Sequence, residues 1–313
     1  MEKNPLVSVI IPTWRIQPEL AETLACIQNQ TYQNLEIVVA CSGELPDTAA
    51  YGTDPRLRFV QVQAKTAAAT RNAGFQQSTG LLIKFMDADD LLSEGAIEAQ
   101  VKLAVTDPDC LVSSAWGRFY NNDLTTFRPN EEAVWRDLDS MDWLAGSLVG
   151  GGNMTQCGMF LFHRDQLIRQ GAWDERLTLI DDFEFFTRHI TRVKRVRFCP
   201  ESILYYRSGS GATLSATRDR KAFESAYLSV ELACRWMLEA ESSPRIRQRC
   251  ADVWQLWAYN AWPAYPDLTK RAEDEVKKLG GSQLPLPSGQ AGRLIATLFG
   301  WKAAVRFKKW VGR

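Results

Sequence analysis

Four apolar runs rich in β-branched residues alternate with helical patterns over residues 7–86. This alternation restricts the chain to a sheet with helices packed against it. Residues 7–11 read Val-Ser-Val-Ile-Ile. Pro18 then opens a segment that places Leu20, Leu24 and Ile27 on one helical face, and residues 36–40 and 57–62 supply two more strands. Residues 66–77 read as a helix and residues 81–86 as a fourth strand. Strand, helix, strand in this order predicts parallel pairing with helices over both faces. In such sheets ligands collect outside the carboxyl ends of the strands.

The fourth run stops abruptly at Asp87-Ala88-Asp89-Asp90. If extended geometry persists past Met86, Asp87 and Asp89 project to the same side. Magnesium and manganese favour such hard oxygen ligands, and a protein commonly supplies one or two carboxylates while a substrate diphosphate completes the shell. A metal held together with a phosphorylated substrate is therefore expected here. The same spacing recurs at residues 107–109 and 137–139, but neither ends an apolar run. Both read as solvated turns or helix starts.

At 313 residues the chain can bury a large core, in one large domain or two. No run approaches the ~20 apolar residues that cross a bilayer, and residues 1–6 lack a signal-peptide pattern, so a cytoplasmic location is expected. Seven scattered cysteines without a Cys-x-x-Cys pair suggest neither a zinc knuckle nor a disulfide framework. Basic and acidic side chains balance at 37 each, but residues 290–313 hold six of the basic ones and no acid. The remainder, with 31 basic against 37 acidic side chains, nets −6. The tail thus points to an anionic surface as partner; no nucleic-acid partner is expected.

Ser93 reads as the N-cap of a helix over residues 94–105, followed by one or two strands over residues 110–120. Residues 150–158, with three consecutive glycines, read as a mobile lid or an ordinary turn before a strand at 159–162. Helical patterns dominate residues 219–280, with Trp236, Trp254, Trp257 and Trp262 as packing anchors. Pro285 and Pro287 mark a linker. Beyond it, Leu294, Leu298, Trp301 and Val305 form an apolar stripe, and Lys302, Arg306, Lys309 and Arg313 recur at spacings of four, three and four. One helix would separate these onto two faces, as in an interfacial amphipathic helix or a helix docked on its own domain. The expected units are residues 1–215, a helical region 216–283, and a linker with basic helix 284–313.

A second carboxylate pair, Asp181-Asp182, stands at the start of a helical pattern. Acids there are favoured by the helix dipole; alternatively, one of them could serve as a general base. Taken in order, Val7-Ser8-Val9-Ile10-Ile11-Pro12-Thr13, Ala69-Thr70-Arg71-Asn72-Ala73-Gly74, Phe85-Met86-Asp87-Ala88-Asp89-Asp90, Gly171-Ala172-Trp173-Asp174-Glu175, Asp181-Asp182 and Leu204-Tyr205-Tyr206-Arg207 resemble family 2 glycosyltransferases of the GT-A fold. The likeness covers about residues 5–215.

The resemblance implies an α/β, Rossmann-like GT-A sheet domain followed by helices, and inverting transfer from a nucleotide diphosphate sugar, most readily a UDP-sugar, to a glycan or lipid-linked acceptor at the cytosolic membrane face. It implies that Asp89 coordinates Mg2+ or Mn2+, that Asp87 and Ala88 lie against the nucleotide sugar, and that Asp182 deprotonates the acceptor. Thr13 and Arg71 match positions that help hold the base, and Trp14, in place of the usual tyrosine, could stack on it. Where the family carries a base-binding aspartate after the second strand, this chain reads Ala40-Cys41-Ser42-Gly43. Neither Cys41 nor Ser42 supplies that anionic acceptor, which keeps open a degenerate sugar-nucleotide-binding protein of the same fold. His163 and His189 sit on no matched position and read as structural, which argues against Ser-His-Asp hydrolysis.

Overall fold

The computed structural model describes residues 4–15, 17–152, 154–209 and 219–311. Strands β1 (Val7–Thr13), β2 (Leu35–Cys41), β3 (Leu57–Gln61) and β4 (Leu82–Phe85) alternate with helices α1 (Pro18–Gln28) and α2 (Ala67–Gln76). The predicted parallel sheet is present, in the order β3-β2-β1-β4, and a short antiparallel strand, β9 (Phe162–His163), closes its edge beside β4. β1 is central and almost wholly buried, which explains its run of valine and isoleucine. Gly74 of α2 lets that helix lie against the sheet: a Cβ there would meet Ile10 Cγ2 at 2.6 Å.

Beyond β4 come β5 (Leu91–Leu92), α3 (Ala96–Ala104), β6 (Cys110–Tyr120), β7 (Asp123–Pro129), β8 (Leu138–Asp139), α4 (Ser140–Ser147), α5 (Arg164–Gln170), α6 (Asp181–Ile190) and β10 (Arg195–Ser208). A second sheet forms in the order β5-β10-β6-β7, with β10 and β6 parallel over most of their length. Helices α7 (Arg220–Ala240), α8 (Pro244–Ala261) and α9 (Pro266–Lys278) follow, and their buried faces join the same hydrophobic core as the first sheet, from Val7 through Trp254 to Val276. The expected boundary at residue 215 lies outside the described residues.

Four expectations are corrected. Helix α3 begins at Ala96 behind Gly95, because the Ser93 hydroxyl is engaged with Ile203 N and Glu201 O and is not free to cap it. Of the strand expected at 159–162 only Leu161, bridged to Val112, and Phe162, beside Ile83, pair, Met159 belonging to a tight turn at Cys157–Met159. That turn is seated: Gly158 faces Leu204 and Met86, and Gly151 lies against the Asp252 backbone. Extended geometry does not persist past Phe85, since residues 88–89 turn and Asp90 N donates back to Asp87 O over 3.4 Å. Lastly, the single C-terminal helix is two, α10 (Gln290–Phe299) and α11 (Trp301–Val311), broken at Gly300 with φ of 80°. A left-handed residue cannot continue an α-helix, and glycine adopts that conformation without steric cost.

All seven cysteines are free, six of them buried. His163 and His189 each bond a backbone carbonyl, of Ala104 and Gly171. Asp107, Asp109 and Asp137 pair with Arg195, Lys194 and Arg197, which accounts for them as structural acids.

Candidate active site

The carboxyl ends of β1, β2 and β4 converge with the start of α6. Arg71, carried on α2, joins the two acidic clusters: Nη2 donates to Asp87 Oδ1 at 2.8 Å and Nη1 to Asp181 Oδ2 at 2.9 Å. Its guanidinium lies 4.6 Å from the centroid of the Trp173 ring, which itself stacks on Phe185. Next to it, Asn72 donates to Trp173 O and Glu175 Oε1 and accepts from Trp173 N, all at 2.9 Å. Two sequence motifs a hundred residues apart are thus one bonded unit. Where the resemblance implies a contact with the base, the structure has Arg71 tie Asp87 to Asp181.

The turn at residues 87–90 is pinned from behind by Arg207 of β10. The Arg207 backbone N donates to Asp90 Oδ1 at 2.9 Å, Nε to Asp89 O at 2.6 Å, Nη1 to Asn122 Oδ1 and Nη2 to Glu22 Oε2. Asp90 is buried, with Oδ2 unpartnered. Burial, and then the neighbouring Asp89 and Asp87, hold its carboxyl well above the usual range. Burial together with Asp87 pushes Asp89 up to about 6. Arg71 bonds Asp87 and Arg207 lies beside Asp89 and Asp90, yet the last two carboxyls stay raised, and a divalent ion held through Asp89 would fit that remaining deficit. Among the described residues no three His, Cys, Asp or Glu side chains form a complete metal site. The remaining ligands of such an ion would come from substrate oxygens.

Asp182 stands one residue beyond the Arg71 pair. Burial and the adjacent Asp181 push its carboxyl up to about 7, against the opposing pull of Arg71. Its Oδ1 accepts from Phe183 N at 2.9 Å, leaving Oδ2 for a substrate. The residue before the pair, Ile180, has φ of 50° and ψ of 39°, a conformation costly for a β-branched side chain. Helix α7 holds it there. Ser229 Oγ donates to Ile180 O at 2.7 Å, while Ser225 Oγ accepts from Thr178 N and Leu179 N.

At the other end of the site, Thr13 is buried and donates to Arg15 O at 2.6 Å, whereas Trp14 is 65% exposed with Arg15 over its ring. Ser42 N donates to Thr13 O, and Ser42 is half-buried at the sheet end. Cys41 turns inward: it is buried, its thiol is directed at Val39 O, and burial pushes it up to about 11. Its backbone carbonyl accepts from Val62 N at 2.8 Å. Ala88 is buried, its carbonyl accepting from Thr23. Arg207, Ser225, Ser229 and Ile180 were not assigned roles from the sequence. Only Arg207, in a matched motif at the end of a strand, left a signal that could have found it.

The family model for Glycosyl transferase family 2 matches residues 8–168, just over half of the chain, and the chain belongs to that family. The matched segment carries β1 to β9 and Asp87–Asp90, so the shared part is the sheet and its acidic turn. Two similar proteins are the uncharacterized glycosyltransferase EpsJ of Bacillus subtilis, 23% identical over 65% of this chain and 61% of its own length, and the Escherichia coli UDP-Glc:alpha-D-GlcNAc-diphosphoundecaprenol beta-1,3-glucosyltransferase WfgD, 28% identical over 31% of this chain and 40% of its own length. The chain spans less than two thirds of either relative. The crystal structure of S. aureus TarS 1–349 in complex with UDP-GlcNAc superposes with a TM-score of 0.65 at 15% identity, covering 98% of this chain and 92% of that one. That likeness establishes the GT-A architecture of the sheet with its helical C-terminal region.

Proposed function

We propose that the chain transfers a sugar, with inversion, from a nucleoside diphosphate sugar to a hydroxyl of a glycan or lipid-linked acceptor, with Asp182 as general base. The observation that carries this reading is the position and poise of Asp182. It lies at the mouth of the strand ends beside Arg71 and Asp181, with a carboxyl raised to about 7, where a base is most effective near neutral pH. In the reaction the Asp182 carboxylate takes the acceptor proton and the acceptor oxygen forms a bond to the anomeric carbon. The bond from that carbon to the diphosphate oxygen breaks, and its electron pair leaves with the diphosphate. A single displacement inverts the centre.

A bound Mg2+ or Mn2+ would stabilise the charge developing on the leaving diphosphate. Asp89 is the residue to hold it, while Asp87 stays oriented by Arg71. Trp14 offers a ring for the base, with Thr13 and Ser42 beside it. The UDP-GlcNAc bound in TarS and the diphosphoundecaprenol-linked acceptor in the name of WfgD favour a UDP-sugar donor and a lipid-linked acceptor, which would place the enzyme at the cytosolic membrane face. Among the described residues no helix is long and apolar enough to cross a membrane.

Calorimetric titration of UDP, GDP, dTDP and CDP, with and without manganese, tests the donor half. Manganese-dependent binding that Asp89→Asn abolishes is expected. Release of nucleoside diphosphate from the matching sugar nucleotide, lost in Asp182→Asn while binding survives, tests the chemistry. A second reading, a sugar-nucleotide-binding protein without turnover, is favoured by the inward turn of Cys41; it would be upheld by binding with no turnover in either protein.

A further inference from the structure

The break at Gly300 divides the C-terminal apolar stripe into two parts with different fates. Ile295 and Ala296 of α10 and Trp301, Ala304 and Val305 of α11 pack with Leu286, Tyr259 and Trp262 on the body of the protein. Leu294, Leu298 and Phe299 face away, at 62%, 65% and 73% exposure, with Phe307 at 43%. Leu294 and Leu298 lie one turn apart on the same side of α10. Leu294, Leu298 and Phe299, three large apolar side chains exposed within six residues, exceed the scatter of single exposed residues normal for a soluble surface.

The charge around them has one sign. Arg293 and Lys308 flank the apolar residues and donate to the backbone carbonyls of Ser288 and Pro287 rather than to carboxylates. Lys302 and Arg306, in contrast, are committed inward, to Glu273 and to the face of Trp262. The segment holds no acid, while the rest of the chain nets −6. An anionic surface would therefore attract this face and repel most others, fixing the orientation of the molecule.

We propose that the outer face of α10, with the exposed edge of α11, docks on an anionic lipid bilayer, Leu294, Leu298 and Phe299 entering the headgroup boundary and Arg293 and Lys308 contacting lipid phosphates. A second copy of the chain is a poorer occupant, because pairing this face with itself would bring like charges together. Neither helix has to unfold or detach for the contact, since the inner faces remain packed with Tyr259, Trp262 and Leu286. The inference does not depend on the transferase reading.

The full-length protein would be sedimented with vesicles of phosphatidylcholine alone and of phosphatidylcholine mixed with phosphatidylglycerol. Binding to the anionic vesicles, weakened by salt, is expected, with a partition coefficient about tenfold lower in Leu294→Glu/Leu298→Glu and similarly lower in Arg293→Glu/Lys308→Glu. All four positions are exposed, so unchanged circular dichroism melting of both variants would confirm that they remain folded. Absence of wild-type partitioning, or equal partitioning of wild type and the leucine variant, would overturn the proposal. So would a dimer in solution that the leucine variant dissolves without any vesicle binding. Because the readout involves no sugar transfer, its failure is separable from failure of the proposed chemistry.

Discussion

Arg71 and Asp181 lie 110 residues apart in sequence, and the 2.9 Å bond between them joins the helix that follows β3 to the helix that presents the proposed base. The same guanidinium holds Asp87. Its side chain is nearly buried, with 8% exposed, so removing it strands two carboxylates beside a third. Arg71→Met is expected to cost about 3 kcal/mol, at the lower end for breaking a buried pair because Asp87 keeps access to water. Urea unfolding at pH 7 measures this.

Arg71 also lowers the proton affinity of Asp182, against burial and Asp181. In the wild type, transfer should fall as pH drops through about 7, where Asp182 becomes protonated. Milder Arg71→Lys, which reaches one acid less well than the bidentate guanidinium, should move that limb to higher pH. A kcat profile from pH 5.5 to 9 that did not move would mean that Arg71 and Asp182 are uncoupled.

Asp182→Asn should lower kcat by about 10²- to 10⁴-fold while leaving nucleotide affinity unchanged. It should also stabilise the fold at high pH. A carboxyl raised from the ordinary value to about 7 binds its proton more tightly folded than unfolded, so stability declines as pH rises across that interval. The neutral amide escapes the decline and can still accept from Phe183 N. At pH 8 a gain of about 1 kcal/mol is expected after allowance for water reaching the group; at pH 5 the two proteins should melt more nearly alike.

At the proposed base site Cys41 would supply no anionic acceptor, since its thiol is turned into the core. Discrimination between UDP and CDP should therefore stay within about tenfold, well below what a site built around a specific hydrogen bond achieves. Trp14→Ala should weaken all four nucleoside diphosphates alike, by about 1–2 kcal/mol, as loss of stacking does. Calorimetry on the variant would reveal any base for which the loss differs.

Ser229→Ala removes the hydroxyl that holds Ile180 O. A loss of about 1 kcal/mol in stability is expected, with kcat reduced and KM for donor little changed. A variant with normal kcat would show that the strained turn keeps its shape unaided.

The first sheet was legible because its signals are local. β-branched runs and a proline opening α1 each act within a few residues. Motif order singled out the acids after β4 and the Asp181-Asp182 pair, but not the turn that the first of these clusters makes at residues 88–89. What escaped the sequence acts across long separations: Arg207 Nε reaches Asp89 O over 118 residues and Ser229 reaches Ile180 over 49. No periodicity encodes such partners. The division of the C-terminal stripe did have a local signal in Gly300, since glycine within a helical pattern costs about 1 kcal/mol against alanine, but the apolar spacing of Leu294, Leu298, Trp301 and Val305 runs through it unbroken.

The serines of α7 have a consequence for how this architecture can be recombined. The loop ahead of Asp182 is shaped by hydroxyls that lie beyond the final strand of the second sheet. Exchanging the helical half between two such proteins would therefore alter the rate of bond formation itself, even if every residue from β1 to β10 were kept. On the proposed reaction the sheet would hold the donor end, and the geometry of proton removal would be inherited from the helices.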